Sequence, residues 1–246
     1  MMEKLKPRAV IFDLGSTLIE YEAVPWEELT RQCAESGRKF LKKSGYAVAD
    51  ADEFHEQLEA AKADFRRLAD EEHLEWDVTK AANLLFRKLG WENTNGLCET
   101  FFDAYYKAVE RQLFVYDDTV STLTKLRGQV GTIGLISNTV FPERAHQSEL
   151  KRFGIDRFFS FTIFSSTFGL RKPHADIFYK AANLSGVAPC ECVYVGDRYK
   201  EDILGPSKIG MPAILKVKPG REYPSEMPVL ERRIDTLSEI FEHIDF

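Results

Sequence analysis

Asp13 ends a short apolar run, Val10-Ile11-Phe12, and the turn-forming residues Leu14-Gly15-Ser16-Thr17 follow at once. This pattern reads as a buried strand that carries a carboxylate to its carboxyl end, the rim where open α/β sheets bind ligands. An Asp that only opens a turn is the other use of the same pattern. Later segments repeat the layout with different polar groups. Ser137-Asn138 follows Thr132-Ile133-Gly134-Leu135-Ile136, Lys172 precedes Pro173, and Asp197 with Asp202 follows Val193-Tyr194-Val195-Gly196.

Parallel strands bring their carboxyl ends to one rim, so these residues can share a site despite their separation in the chain. Carboxylates gathered there repel one another and call for a hard cation, most naturally Mg²⁺, which takes oxygen ligands. A lysine and a hydroxyl beside that cation form a cradle for a phosphate-like group. One carboxylate facing the phosphorus can attack it and form an acyl phosphate, while metal and lysine offset the developing charge. Each group also has a structural use. Ser137-Asn138 suits a cap or turn, Lys172-Pro173 a loop before a helix, and Asp197 and Asp202 a helix N-terminus. Their occurrence in order, each at the edge of a βα unit, favours a shared site.

The elements that must position these groups are legible as changes of period. Residues 8–13 read as the first strand. From about Pro25 to Gln112 the apolar residues recur at helical spacing instead. Trp26, Leu29, Cys33, Phe40 and Leu41 fit one helical face, and Phe54, Leu58, Ala61, Phe65 and Leu68 a second. Ala81, Leu84, Leu85 and Leu89 fit a third, and Phe101, Phe102, Tyr105, Tyr106 and Val109 a fourth. Breaks fall near Gly45, Asp77 and Gly90 to Gly96. The aromatic fourth face is expected to serve as bundle core. The βα rhythm then resumes, with helices expected over 118–127, 143–153, 175–184 and 200–209 and strands over 132–137, 158–164, 193–196 and 212–217. The expected architecture is an α/β core with a parallel, doubly covered sheet, residues 1–20 and 114–246, interrupted by an all-helical insert over 21–113.

Composition sets outer limits. The chain has 246 residues, 44% hydrophobic and 29% charged, with a formal net charge of −6. Such a length buries a sizeable core without staples. The acidic balance argues against nucleic acid and anionic membrane as partners, and no segment resembles a leader or a span. Four cysteines, Cys33, Cys98, Cys190 and Cys192, lack zinc or disulfide-framework spacing, and a reducing cytoplasm is expected. Cys190 and Cys192 are expected to be packing residues. Nothing in the sequence fixes an oligomeric state.

Together Phe12-Asp13-Leu14-Gly15-Ser16-Thr17-Leu18, Ile136-Ser137-Asn138-Thr139, Arg171-Lys172-Pro173 with Ile177-Phe178, and Val195-Gly196-Asp197-Arg198 with Asp202 resemble the motifs of the haloacid dehalogenase-like hydrolase superfamily. The resemblance spans nearly the whole chain and implies a Rossmann-like α/β core with a helical cap inserted after the first core strand. It implies a Mg²⁺-dependent phosphatase of a small phosphorylated metabolite. Asp13 would be the nucleophile, and Ser137, Asn138 and Lys172 would hold the phosphoryl group. Asp13, the Gly15 carbonyl and Asp197 would hold the metal, with Asp202 supporting the metal or Lys172.

One position departs from that pattern. Family phosphatases carry a second Asp two residues after the nucleophile, which protonates the leaving group; here that residue is Gly15. General acid–base catalysis contributes ~10²–10⁴ in rate, so the loss amounts to about 3–5 kcal/mol of transition-state stabilisation. Glu20 or Glu22 could replace the acid, the substrate could have a good leaving group, or the chain could be a weak enzyme. A binding module that keeps the phosphate and Mg²⁺ pocket is the alternative from another class. Family dehalogenases also lack the second Asp but work without metal, which the Asp197–Asp202 pair disfavours. Phosphonate hydrolases of the family use a cap lysine, but Lys39, Lys42 and Lys43 are expected to be solvated.

Overall fold

The computed structural model describes residues 3–92, 96–228, 230 and 232–246. In chain order, β1 (Ala9–Phe12) leads to β2 (Ile19–Glu20) and then to four helices, α1 (Trp26–Lys43), α2 (Ala51–Glu72), α3 (Val78–Lys88) and α4 (Leu97–Glu110). After β3 (Phe114–Val115) come α5 (Thr119–Arg127), β4 (Thr132–Ser137), α6 (Glu143–Arg152), β5 (Phe161–Phe164) and α7 (Ser165–Phe168). The chain continues through α8 (Ala175–Ser185), β6 (Cys192–Gly196), α9 (Gly205–Ser207), β7 (Ala213–Lys216), β8 (Arg233–Ile234) and α10 (Ile240–His243).

Six strands form one parallel sheet in the order β5-β4-β1-β6-β7-β8. The chain winds outward from β1 on one side, then returns and winds outward on the other. Strand order therefore reverses at β1, and the crevice at its carboxyl end is where such sheets take ligands. Period-two alternation sorts the strands' side chains to two faces. Val10 and Phe12 join Leu123, Leu126 and Leu150 from α5 and α6, whereas Ala9 and Ile11 join Ile177, Phe178 and Ala181 from α8. Both faces are covered, which explains why β1 reads as an unbroken apolar run.

The helical stretch leaves and re-enters the core through a short stem in which β2 pairs antiparallel with β3. That pair was not legible in the sequence, because two-residue strands carry no period. Asp50 and Asp77 cap α2 and α3, accepting from Glu53 N–H at 3.0 Å and Thr79 N–H at 2.6 Å. Gly45, in the left-handed region, follows the end of α1. Part of the expected break at Gly90 to Gly96, residues 93–95, lies outside the described residues. Gly37 lets α1 approach α4 closely, since a Cβ there would lie 2.3 Å from the Phe101 ring.

Some expectations need correction. The buried face of α3 is Val78, Ala81, Ala82, Leu85 and Phe86, while Leu84 and Leu89 are exposed. Phe86 packs on Phe101 and Trp91, so its larger ring, rather than Leu84, sets the rotation of the helix. Trp26 is likewise exposed. The strand expected from 158 begins only at Phe161, after a 3₁₀ turn over Asp156–Phe158. In place of a helix over 200–209 there is a π-helical turn, Tyr199–Leu204, and then the single turn of α9. Pro206 has no N–H for a regular α ladder. Cys190 is exposed, unlike buried Cys192, and none of the four cysteines is in a disulfide.

Candidate active site

Asp13 directly follows β1, and its N–H donates to the Val195 carbonyl of neighbouring β6 at 2.8 Å. That bond fixes the residue at the rim, where its carboxylate is nearly buried. The Lys172 ammonium comes from the α7–α8 connection and donates to Asp13 Oδ1 at 2.6 Å, Asp202 Oδ1 at 2.6 Å and the Tyr194 hydroxyl at 2.8 Å. Burial opposes its charge, but Asp13 and Asp202 outweigh burial and hold its pKa well above the usual lysine value. Burial raises the Asp13 pKa, and Lys172 partly pulls it back.

Asn138 holds the lysine by its main chain. Its side-chain carbonyl accepts from Lys172 N–H at 2.8 Å, and its amide donates to Lys172 C=O at 2.9 Å. Both ends of the Asn138 side chain are thereby engaged in positioning Lys172, and the residue also lines the cavity, where the sequence leads us to expect a substrate contact. Ser137, at the end of β4, lines the cavity beside Asp13 and Gly15.

Carboxylate oxygens of Asp13, Asp197 and Asp202 lie within 4.8 Å of one another, all buried. Their remaining valences differ. Asp202 accepts from Lys172 through Oδ1 and from Arg198 N–H through Oδ2, the latter at 2.9 Å. Asp197 meets Arg221 through Oδ2, and among the described residues its buried Oδ1 has no hydrogen-bond partner. An orphaned carboxylate oxygen is costly unless a cation completes it. The donor set is all oxygen, which fits Mg²⁺. Gly196 makes this packing possible, since a Cβ on it would stand 2.4 Å from Asp202 Cγ.

The five groups expected at the rim, Asp13, Ser137, Lys172, Asp197 and Asp202, do converge. Sequence reasoning missed Tyr194, whose alternation in β6 gave only burial. It also missed the loop residues Lys218 and Arg221, which no periodicity marks. Lys218 bonds Ser16 Oγ, Glu20 and Glu22 at 3.0, 3.0 and 2.7 Å, and Arg221 also reaches Glu22 at 2.8 Å. Despite the opposing cost of burial, these cations and their hydrogen bonds bring Glu22 down to about 2. Glu20, bonded by Tyr116 and Lys218, is lowered too. Both are held as anions, which makes them poor proton donors. Lys39, Lys42 and Lys43 are solvent-exposed, as expected.

A second polar cluster lines the same cavity. His146 meets Thr139 Oγ1 through Nε2 at 2.7 Å and Glu149 through Nδ1 at 2.8 Å. The hydroxyls of Tyr21 and Tyr106 both donate to Glu149, and Tyr21 also meets His146 Nδ1 at 3.2 Å. The Tyr21 ring lies 3.4 Å from where a Cβ on Gly15 would be. An acid–base cluster therefore stands next to the position that lacks its carboxylate.

Family and structural comparisons agree with this geometry. A family model described as haloacid dehalogenase-like hydrolase matches residues 7–210. A glyceraldehyde 3-phosphate phosphatase of Methanothermobacter thermautotrophicus is 30% identical over 85% of this chain and 84% of its own. A phosphoglycolate phosphatase of Mannheimia succiniciproducens is 28% identical over 68% and 77%. A crystal structure of 2-haloacid dehalogenase from Pseudomonas syringae superposes with a TM-score of 0.73 over 97% of both chains; at 21% identity this likeness concerns the fold alone. The chain belongs to the haloacid dehalogenase-like hydrolase family, and its relatives place it on the phosphatase-like side of that family. No helix among the described residues is long and apolar enough to cross a membrane.

Proposed function

We propose that this hydrolase removes phosphate from a small phosphorylated metabolite, with Asp13 as nucleophile, and that residues 21–113 form a cap over the site. The observation that carries the reading is the buried Lys172 ammonium held between Asp13 and Asp202 at 2.6 Å each, at the wall of a cavity of about 790 Å³. Asp13 attacks phosphorus through a carboxylate oxygen, the ester P–O bond breaks, and the leaving alkoxide takes a proton. Water then attacks the aspartyl phosphate and regenerates the carboxylate. Ser137 and Lys172 hold the phosphoryl group, the Lys172 N–H on Asp13 passing to a phosphoryl oxygen as Asp13 is esterified, and Lys172 offsets the charge there.

Asp13, Asp197 and the Gly15 carbonyl would hold Mg²⁺, with Asp202 supporting the metal while it anchors Lys172 and the Arg198 main chain. The ion would supply further charge compensation at the phosphoryl oxygens. Ionised, cation-bound Glu20 and Glu22 do not suit leaving-group protonation. Tyr21 and His146, both bonded to buried Glu149, form the polar cluster that lines the cavity beside Gly15.

Phosphate release from an aryl phosphate tests the reading directly. Turnover is expected with Mg²⁺, to be lost with chelator and restored by Mg²⁺ addition, and to fall at least ~10³-fold in folded Asp13→Asn, since a covalent step loses its nucleophile. Ligand binding without turnover across many phosphate esters would identify a binding module instead. Full activity in chelator would reject the metal.

A further inference from the structure

The cavity has a helical wall opposite the strand ends, and that wall is built around a buried cation. Lys62, on α2, is 2% exposed and lines the cavity with Arg66, Tyr105 and Trp26. Its ammonium has two partners, Glu59 Oε1 at 2.8 Å and the Tyr105 hydroxyl at 3.3 Å. A lysine carries three N–H donors, so one is left over. Arg66 meets the other oxygen of the same carboxylate at 2.6 Å, and its side chain is 44% exposed.

Two cations thus share one anion, and the trio carries a net charge of +1. The other cations of the cavity are spent differently. Lys218, Arg221 and Arg198 answer Glu20, Glu22 and Asp197, Arg171 faces Glu75, and Lys172 lies between Asp13 and Asp202. Burying a lysine is costly, and a single helix-surface ion pair would hold α2 equally well from solvent. The surplus charge faces the same space as the nucleophile.

We propose that Lys62 and Arg66 form a second anion subsite, so that the preferred substrate is a phosphate monoester bearing a carboxylate at the end remote from phosphorus. This inference rests on the phosphatase reading and adds the substrate's other half. The surplus of +1 balances one carboxylate, whereas a second phosphate would bring nearly twice that charge. The two free directions, one Lys62 N–H and the half-exposed Arg66 fork, suit the two oxygens of a planar group. A neutral-tailed ester such as glyceraldehyde 3-phosphate leaves that charge unanswered.

The test uses paired series of ω-carboxyalkyl and ω-hydroxyalkyl phosphates of increasing chain length, with alkyl bisphosphates as a third arm. At one or more lengths the wild-type protein is expected to favour the carboxylate by roughly tenfold or more in kcat/KM, the scale of a hydrogen bond to a charged group. Lys62→Met is expected to reduce that preference to about threefold or less, mainly through KM, while changing turnover of the hydroxyl series little. Arg66→Gln, at a more exposed site, should show the same trend and serves if Lys62→Met does not fold. Calorimetric binding of both series to Asp13→Asn gives the preference without turnover. It therefore tests the subsite even if no ester is hydrolysed, an outcome that would overturn the phosphatase reading instead. Equal treatment of acids and alcohols at every length, a preference for bisphosphates, or equal losses on both series in the variants would overturn the carboxylate subsite.

Discussion

Lys172 shows how one side chain can organise a site. Three acceptors saturate its ammonium, and Asn138 holds both polar groups of its main chain. Gly15 presents the opposite case, a position where the side chain is missing and space remains. A Cβ there would make ordinary contact with Tyr21 at 3.4 Å, and the backbone is not in the left-handed region. Gly15→Asp is therefore expected to fold. If the missing acid limits turnover, the variant should hydrolyse a poor-leaving-group alkyl phosphate roughly tenfold or more faster, with little change for an aryl phosphate. An unchanged alkyl rate in a folded variant would mean that the proton is already supplied. His146→Gln would then be the first change to make, since it removes the acid–base ring and leaves Asp13 untouched.

At the scale of elements, the stem after β2 is tied to the loop after β7 by charge. Glu22 receives Lys218, Arg221 and Arg198, and Lys218 also bonds Ser16 and Glu20. Glu22 ionises at about 2 in the folded protein, against an ordinary value of 4.5. A folded-state pKa below the unfolded one stabilises the fold at pH values above the unfolded value. That contribution is lost as pH falls through the folded one. Wild-type stability should therefore fall as pH drops from about 4.5 toward 2, in part because Glu22 is neutralised. Glu22→Gln should be less stable than wild type near neutral pH, and the gap should close toward the acid end of that window. Denaturant unfolding of both proteins across the window measures it; a gap independent of pH would assign the loss to packing. Because these groups are partly exposed, added salt should shrink the effect.

Taken whole, the molecule carries a net charge of −6 yet places seven Lys and Arg side chains around one cavity. The rim supplies the reacting groups and the helical insert supplies the facing wall, so access depends on how the two are arranged. If the insert closes over Asp13 during turnover, water is excluded and bulky esters are kept out. Small phosphate esters should then exceed phosphoprotein substrates in kcat/KM by roughly a hundredfold or more, each missing contact costing a factor of ten per 1.4 kcal/mol. Comparing phosphate release from a short alkyl ester and from a phosphoprotein measures this. A preference for the protein would reject a closing cap.

The sequence by itself determined five of the six strands of the sheet, the helical interruption and the chain order of the polar groups at the strand ends, because period and turn chemistry are local, whereas two-residue β8 carries no period. It placed Asp13, Ser137, Lys172, Asp197 and Asp202 at the edges of βα units before any contact was known. It also exposed the gap at Gly15, which is a matter of residue type alone. Local pattern could not say which groups were already satisfied. Asn138 proved to clamp Lys172, and both Asp202 oxygens accept hydrogen bonds from Lys172 and Arg198, whereas one oxygen of Asp197 has no partner among the described residues. Glu22 lost its standing as a proton donor through Lys218 and Arg221, nearly two hundred residues away in the chain. Lys62, one charged residue among many on an amphipathic helix, became a cavity wall only when α2 folded over the rim. Hydrogen bonds and charge balance depend on distance in space, and only the tertiary structure sets those distances.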